Sequence, residues 1–278
     1  MNTHKPITVI QPQTGFALPN LREVWRYRAV ITNMVGRNFK VQYRQTIGGP
    51  IYAIYTPLMT MLGYTILLGG LLNVQTDGNI PYPIFSYSAL IIWTLFTTIV
   101  TEGSTSLFTN SALIQKIYVP HLIFPLIIVA MALVNFAIAF LILLPMMLIY
   151  GVPPSANVIA APVFLMIAIV TGLGLGLWFA PFHARFRDTL YLVRLITQGL
   201  FFLTPAVYSS QLLPAPWDQL YQLNPLAVVI EGFRWSLLGV GNVPSLESIA
   251  YASGIAIFLL ILGALNFKRL EPTIADVI

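Results

Sequence analysis

Five stretches of this chain each run for more than 20 residues with almost no charge: Ile47–Leu72, Ile84–Leu107, Ile123–Tyr150, Val158–Phe182 and Ser245–Phe267. Only Glu102 and Glu247 interrupt them. About 20 mostly apolar residues cross the hydrocarbon of a bilayer. Inside it every backbone N–H and C=O must be bonded within the chain, which favours helices. The expected fold is an all-α integral membrane protein. Composition agrees, with 8% charged residues among 278 and a mean hydropathy of +0.81, against about 25% charged in soluble domains. So sparse a charge cannot cover a water-facing surface, which excludes the ordinary soluble enzyme classes. The absence of cysteine excludes a disulfide framework, a thiolate metal site and a cysteine nucleophile.

Two shorter apolar runs need separate treatment. Leu190–Tyr208 carries Arg194 near its start, where a long side chain can snorkel to the interface, and is expected to be a sixth span. Leu226–Val240 is too short to cross and holds Glu231 and Arg234, so it is expected to dip into the membrane and return. Pro205, Pro214, Pro216 and Pro225 break the chain ahead of it. Orientation follows from Lys and Arg. Lys5, Arg22, Arg26, Arg28, Arg37, Lys40 and Arg44 precede the first span. Six spans put Lys116, Arg185, Arg187, Arg194, Lys268 and Arg269 on the same side, leaving only Arg234 opposite. Both termini are therefore expected in the cytoplasm. The net charge of +5 is an orientation signal and not a nucleic-acid footprint. Residues 1–20 are polar and proline-bearing without an apolar core, and predict a flexible cytoplasmic leader rather than a secretory signal.

Residues 21–46 predict an amphipathic interface helix. At 100° per residue, Leu21, Val24, Trp25, Ile31, Val35 and Phe39 fall within an arc of roughly 120°. Arg22, Arg26, Arg37, Lys40 and Arg44 share another, while Val30 and Met34 fall outside the apolar stripe. Such a helix lies in the membrane interface. Its cations either anchor it there or, since Arg suits bidentate phosphate contacts, meet anionic headgroups or a phosphorylated lipid substrate.

Catalysis in a bilayer needs clustered ionisable groups, a nucleophile with its base, or metal ligands. His4, His121 and His183 are scattered, and no HExxH, G-x-S-x-G or Walker A sequence occurs. The run Gly172-Leu-Gly-Leu-Gly176 lies mid-span, without the strand and third glycine of a nucleotide loop, and predicts close helix packing through small residues. Glu102, an intramembrane carboxylate, is a functional candidate. With so little to titrate in the spans, energy for any transport is expected from a partner.

Seven segments, in order, carry a resemblance. They are Arg37–Pro50 (RNFKVQYRQTIGGP), Phe85–Phe96 (FSYSALIIWTLF), Asn110–Leu126 (NSALIQKIYVPHLIFPL), Arg185–Asp188 (RFRD), Phe202–Tyr208 (FLTPAVY), Leu223–Trp235 (LNPLAVVIEGFRW) and Leu270–Ile278 (LEPTIADVI). Together they resemble the transmembrane permease subunit of bacterial type-2 ABC exporters, in the branch that exports O-antigen, capsular polysaccharide or teichoic acid. The resemblance implies a six-span subunit over residues 47–278 in the bacterial inner membrane, working as a homodimer. It implies two copies of an ABC ATPase subunit that bind ATP and Mg, with no cofactor on this chain. It also implies a coupling helix in the loop 110–121 and re-entrant gate helices within 209–240.

Residue roles follow from that. Ser111, Leu113, Ile114, Gln115, Lys116, Tyr118 and His121 are the expected ATPase contacts, on a helix over Ser111–Tyr118 stopped by Pro120. Arg185, Arg187 and Asp188 match an Arg-x-Arg-Asp element at the cytoplasmic mouth. Arg185 and Arg187 join Arg37, Lys40 and Arg44 as candidate headgroup contacts. Glu231 and Arg234, spaced i,i+3, are expected to pair, either holding an external gate closed or as a structural salt bridge. Sugar faces stack on aromatic rings, so Tyr52, Tyr55, Tyr64, Trp93, Phe96, Phe201, Phe202 and Tyr208 are candidate pore-lining residues. The alternative for any of them is a place in the aromatic belt at the membrane surface. The expected function is passage of a lipid-linked polysaccharide, driven by ATP hydrolysis on the partner and not by this chain. Export of a drug or lipid by the same kind of permease is the first alternative, and a membrane-embedded glycan-lipid transferase the second.

Overall fold

The computed structural model describes residues 21–44, 51–116, 119–212, 221 and 223–277. The helices are α1 (Leu21–Arg26), α2 (Arg28–Arg44), α3 (Ile51–Tyr64), α4 (Tyr82–Thr109), α5 (Ser111–Ile114), α6 (Ile123–Ile149), α7 (Ala161–Arg185), α8 (Thr189–Phe202), α9 (Pro225–Leu238) and α10 (Leu246–Val277). Five segments are long and apolar enough to cross a membrane: Ile54–Leu71, Tyr82–Thr109, Ile123–Ile149, Ala156–Arg185 and Leu246–Pro272. The chain is an all-α, multi-pass membrane protein, and each of the five long runs became one of these helices.

The axis of the bundle is α4. It packs against α3, α6, α7, α8 and α9, and Ile84, Phe85, Tyr87, Leu90, Ile91, Ile92 and Phe96 are buried along it. Polar groups caught there bond across helices. The Tyr87 hydroxyl donates to the Ala139 carbonyl at 3.1 Å, and the Tyr82 hydroxyl donates to the Val207 carbonyl. Leu148, Ile149, Met166, Ile257 and Phe258 stay exposed on the outer faces of α6, α7 and α10. That is expected where lipid tails are as apolar as the side chains.

Without water to expel, helices in lipid associate by shape, and small residues let backbones touch. The glycines of α7 do this on two sides. A Cβ on Gly172 would lie 3.2 Å from Ile99, and one on Gly176 would lie 3.0 Å from the Ile99 carbonyl, both on α4. A Cβ on Gly174 would lie 2.7 Å from the Leu259 and Leu260 backbone of α10. From the other side, a Cβ on Gly263 would come within 2.1 Å of the Gly174 carbonyl oxygen. The run Gly172–Gly176 is thus a packing motif, as its sequence predicts.

The described structure differs in detail from the expected helices in three places. The apolar run Leu190–Tyr208 forms only the 14-residue helix α8, roughly 21 Å long at 1.5 Å per residue. Turns follow at Leu203–Pro205. Pro205 brings no N–H to continue the ladder, so hydropathy alone overstates this segment. The first span ends in a π-helical turn, Thr65–Leu71, where Gly69 lies against the Tyr82 ring. The amphipathic helix breaks at Tyr27, and its buried face is rotated from the expected arc. Val24 and Met34 are buried in a cluster with Leu107, Val119, Leu122 and Phe124, with Tyr27, Val30, Ile31 and Val35 packed beside them. Trp25 and Phe39 are exposed, and the Arg28 guanidinium lies 5.9 Å from the Trp25 ring centroid. Residues 45–46 of the expected helix, and the leader 1–20, lie outside the described residues.

Gly263→Ala is expected to destabilise the bundle by about 2 kcal/mol, the scale of overpacking a tight contact. Gly254→Ala on the same helix, where nothing lies within 4 Å, should be neutral or slightly stabilising by helix propensity. Thermal unfolding of the detergent-solubilised protein separates the two.

Candidate functional site

An aromatic cleft lies between α4 and α8. Val193 and Thr197, four residues apart, turn into the bundle, which sets Gln198, Phe201 and Phe202 facing Trp93 and Thr97. These residues line a cavity of about 420 Å³. The Trp93 and Phe201 ring centroids are 5.3 Å apart, those of Phe201 and Phe202 5.9 Å, and those of Tyr64 and Phe201 6.0 Å. Thr97 and Thr197 spend their hydroxyl protons on the Trp93 and Val193 carbonyls. Their hydroxyl oxygens therefore remain as acceptors, beside the donor and acceptor of the Gln198 amide. Apolar ring faces with a few polar groups suit a ligand that is flat and apolar on one side and hydroxylated at its edge.

Four of the aromatics expected along a pore thus come together: Tyr64, Trp93, Phe201 and Phe202. The others do not. Phe96 is buried in the core against Trp93, 5.6 Å between centroids, and faces the interior of the bundle. Tyr55 is exposed on α3. The Tyr208 hydroxyl donates to the Phe202 carbonyl at 2.8 Å and shares a hydrogen bond with Tyr221, so it pins the turn after α8. The side chain of Tyr52 lies outside the described residues. A second cavity of about 220 Å³ brings Gln42, Thr94, Thr98, Glu102 and Asn135 together with apolar residues such as Ile91, Leu95 and Phe136. Its wall is tied by Tyr43, whose hydroxyl donates to Asn135.

The short helix α9 opens with Asn224, whose side chain accepts from the Leu226 N–H at 3.0 Å, and closes at Gly239 with φ +70°. Its apolar residues are buried on nearly every face. A Cβ on Gly232 would lie 2.0 Å from the Phe164 ring. The expected Glu231–Arg234 pair is not formed. Arg234 is 1% exposed, and its Nη2 donates to the Pro205 and Ala206 carbonyls, each at 3.0 Å. The guanidinium carbon lies 3.7 Å from the Phe85 ring centroid. Those carbonyls lie past the end of α8, where Pro205 has broken the helix, so a fixed donor there satisfies them. The carboxylate of Asp77, which accepts from Ser209, and that of Glu231 act on Arg234 only through space. Asp77 was not singled out in the sequence, since an acid in a Gly- and Asn-rich loop reads as solvated.

At the other end of the bundle, Arg37 and Lys40 are exposed on α2, and the side chain of Arg44 lies outside the described residues. Arg185 and Arg187 are exposed at the α7–α8 turn. Their guanidinium carbons lie 5.3 Å from the Phe186 centroid and 5.2 Å from the Phe108 centroid. The helix expected over Ser111–Tyr118 is shorter among the described residues. It covers Ser111–Ile114 and gives way to a turn at Gln115 and Lys116. Asn110 explains this, because its side chain donates back to the Ser106 carbonyl at 2.8 Å and caps α4, leaving α5 without a side-chain cap. Leu113 and Ile114 pack beside the buried cluster of Leu107 and Leu122, while Ser111 is half-buried and Gln115 and Lys116 are exposed. Tyr118 lies outside the described residues. His121 Nδ1 meets Glu271 Oε1 at 2.9 Å, and Lys268 Nζ donates to Glu271 Oε2 at 2.7 Å. Neither Lys268 nor Glu271 was assigned a role from the sequence.

A bundle of membrane-crossing helices with an aromatic cleft and a loop anchored at one end describes a membrane permease. Residues 30–238 match the family described as ABC-2 type transporter, and the chain belongs to that family. Its members are permease subunits without ATPase activity of their own, so this chain is a non-catalytic, multi-pass protein of the inner membrane. It is 26% identical over 262 residues to an O-antigen export system permease protein RfbA of Klebsiella pneumoniae, covering 93% of this chain and 97% of the relative. Similarity to RfbA of Myxococcus xanthus is 25% over 259 residues, covering 92% and 98%. The inner membrane transport permease YadH of Escherichia coli is 27% identical over 205 residues, covering 70% and 78%.

Replacing Arg234 by Lys is expected to cost about 3 kcal/mol, because an ammonium cannot reproduce the planar contact with Phe85 while meeting both carbonyls. Glu231→Gln should cost no more than about 1 kcal/mol, as befits a charge acting through space. Equal losses on thermal unfolding would show that the two act as a direct pair.

Proposed function

We propose that this chain is the permease of an ATP-driven exporter for a lipid-linked polysaccharide of the O-antigen, capsule or teichoic acid kind. Two copies form the path and two ABC ATPase subunits, holding ATP and Mg, drive it. The observation that carries this reading is the end-to-end similarity to two permeases named for O-antigen export, each covered over nearly its whole length. The cleft of Trp93, Phe201 and Phe202 with Gln198 supports it chemically. Aromatic rings grip the apolar faces of successive sugars weakly and repeatedly, which lets a long chain advance without being trapped. In this scheme six membrane passes place both termini in the cytoplasm, with α8 completing its crossing through the turns that follow it. The helix α9 belongs to a re-entrant gate on the outer side. The cations of α2, with Arg185 and Arg187, receive the phosphorylated lipid headgroup among membrane lipids. Since YadH is named only as a transport permease, export of a drug or lipid is the second reading.

The test is made in the native host. Removing the gene should leave a lipid-linked glycan inside the cell and none at the surface, and the intact gene should restore it. An unchanged surface glycan, with altered drug or lipid efflux, would favour the second reading. Within the first, joint replacement of Trp93 and Phe201 by Ala should slow export by about tenfold, the scale of one or two aromatic contacts. Replacing Arg37 and Lys40 together by Gln should reduce loading of the glycan while membrane insertion, read by fractionation, stays normal.

A further inference from the structure

The loop between α4 and α6 is 150 residues in sequence from Glu271, yet it is fastened to that carboxylate. His121 follows Val119 and Pro120 and precedes the first turn of α6. Val119 and Leu122 beside it are buried, so the backbone that carries the imidazole is held on both sides. Glu271 lies one turn from Lys268 on α10. Its two oxygens are divided, Oε1 to His121 at 2.9 Å and Oε2 to Lys268 at 2.7 Å. All three side chains are about one-fifth to one-quarter exposed, enough to shield the contacts without removing the charges from water altogether. Further along α10, Gly263 meets Gly174 of α7 backbone to backbone. A displacement applied to the loop therefore has a continuous path: imidazole to carboxylate, carboxylate to α10, and α10 to α7 through a contact that leaves no room to slide.

We propose that Glu271 is a positioning residue that clamps the coupling loop to the last helix, so that ATPase-driven movement of the loop carries α10 and α7 with it as one body. Lys268 holds the carboxylate in the orientation that meets His121. This inference rests on the reading of the loop as the ATPase contact. It adds that the loop's force is delivered to α10 as well as to the helices on either side of it. The clamp stays closed throughout the cycle.

Glu271→Gln keeps the shape and removes the charge. In the purified complex of permease and ATPase in nanodiscs, hydrolysis of Mg-ATP should stay within about twofold of wild type. Surface glycan in the native host should fall by about tenfold, the range in which a single link modulates coupling. His121→Leu should lower export as much, His121→Arg should restore most of it, and His121→Leu with Glu271→Gln should be no worse than either alone. Additive losses, or full export with Glu271→Gln, would overturn the clamp. Deletion of the gene without loss of surface glycan would instead overturn the export reading itself. Because the chain holds no cysteine, His121→Cys with Glu271→Cys can be joined by a short, reducible bifunctional thiol reagent in membrane vesicles of the permease–ATPase complex, a second test that does not rely on Glu271→Gln. Unbridged, the pair should transport as poorly as His121→Leu and bridging should raise transport toward wild type, whereas bridging that lowers transport or leaves it unchanged refutes a clamp that stays closed.

Discussion

The contact on which the bundle depends is the touching of backbones along α7. In hydrocarbon the gain from burying Leu or Ile is small, because lipid and protein interior are equally apolar. What remains is close approach, and it rests on Gly172 and Gly176 against α4 and on Gly174 against Gly263 of α10. Once α4, α7 and α10 are fixed in this way, the remaining helices are placed against them. The apolar faces of α9 fill the space beside Phe164, α6 lies along α4, and α8 leaves the cleft of Trp93 and Phe201.

Polar groups are rationed by the same medium. Arg234 is an unusual occupant of such a place: its Nη2 donates to the Pro205 and Ala206 carbonyls beyond the end of α8, while Nε and Nη1 are buried without a hydrogen-bond partner among the described residues. The cation is thereby part of the backbone bonding of the turn rather than one half of an ion pair. Tyr82, Tyr87, Tyr208 and Ser209 do comparable work with hydroxyls. The contacts of Glu271 with His121 and Lys268 lie at the end of the bundle that carries most of the basic residues, where water can reach them.

Much of this architecture is legible in the sequence, and the failures have physical causes. Length and hydropathy find the five long spans, because the thickness of hydrocarbon is a hard constraint. The glycine run is legible because nothing else explains three small residues at alternate positions within a span. Helix rotation is another matter. A helix such as α4 is apolar on every side, so its pattern does not separate Phe96, which faces inward, from Trp93, which lines a cavity. In α2, Val30 and Met34, which a strict arc rejects, pack on the bundle beside Ile31 and Val35, which it includes, because the neighbouring cluster of Leu107 and Phe124 offers a wider surface to cover. The pairing of His121 with Glu271 leaves no periodic trace at all, since it joins distant parts of the chain.

The junction of Gly174 with Gly263 has a consequence for how the protein moves between environments. It is held by shape and dispersion between backbone atoms, and its strength owes nothing to the exclusion of water. A side-chain contact built on burial weakens or strengthens as it passes from lipid to headgroup to solvent. This one has the same internal energy at every depth. Helices α7 and α10 can therefore shift along the membrane normal together, trading one solvent for another at their surfaces, while the seam between them stays shut.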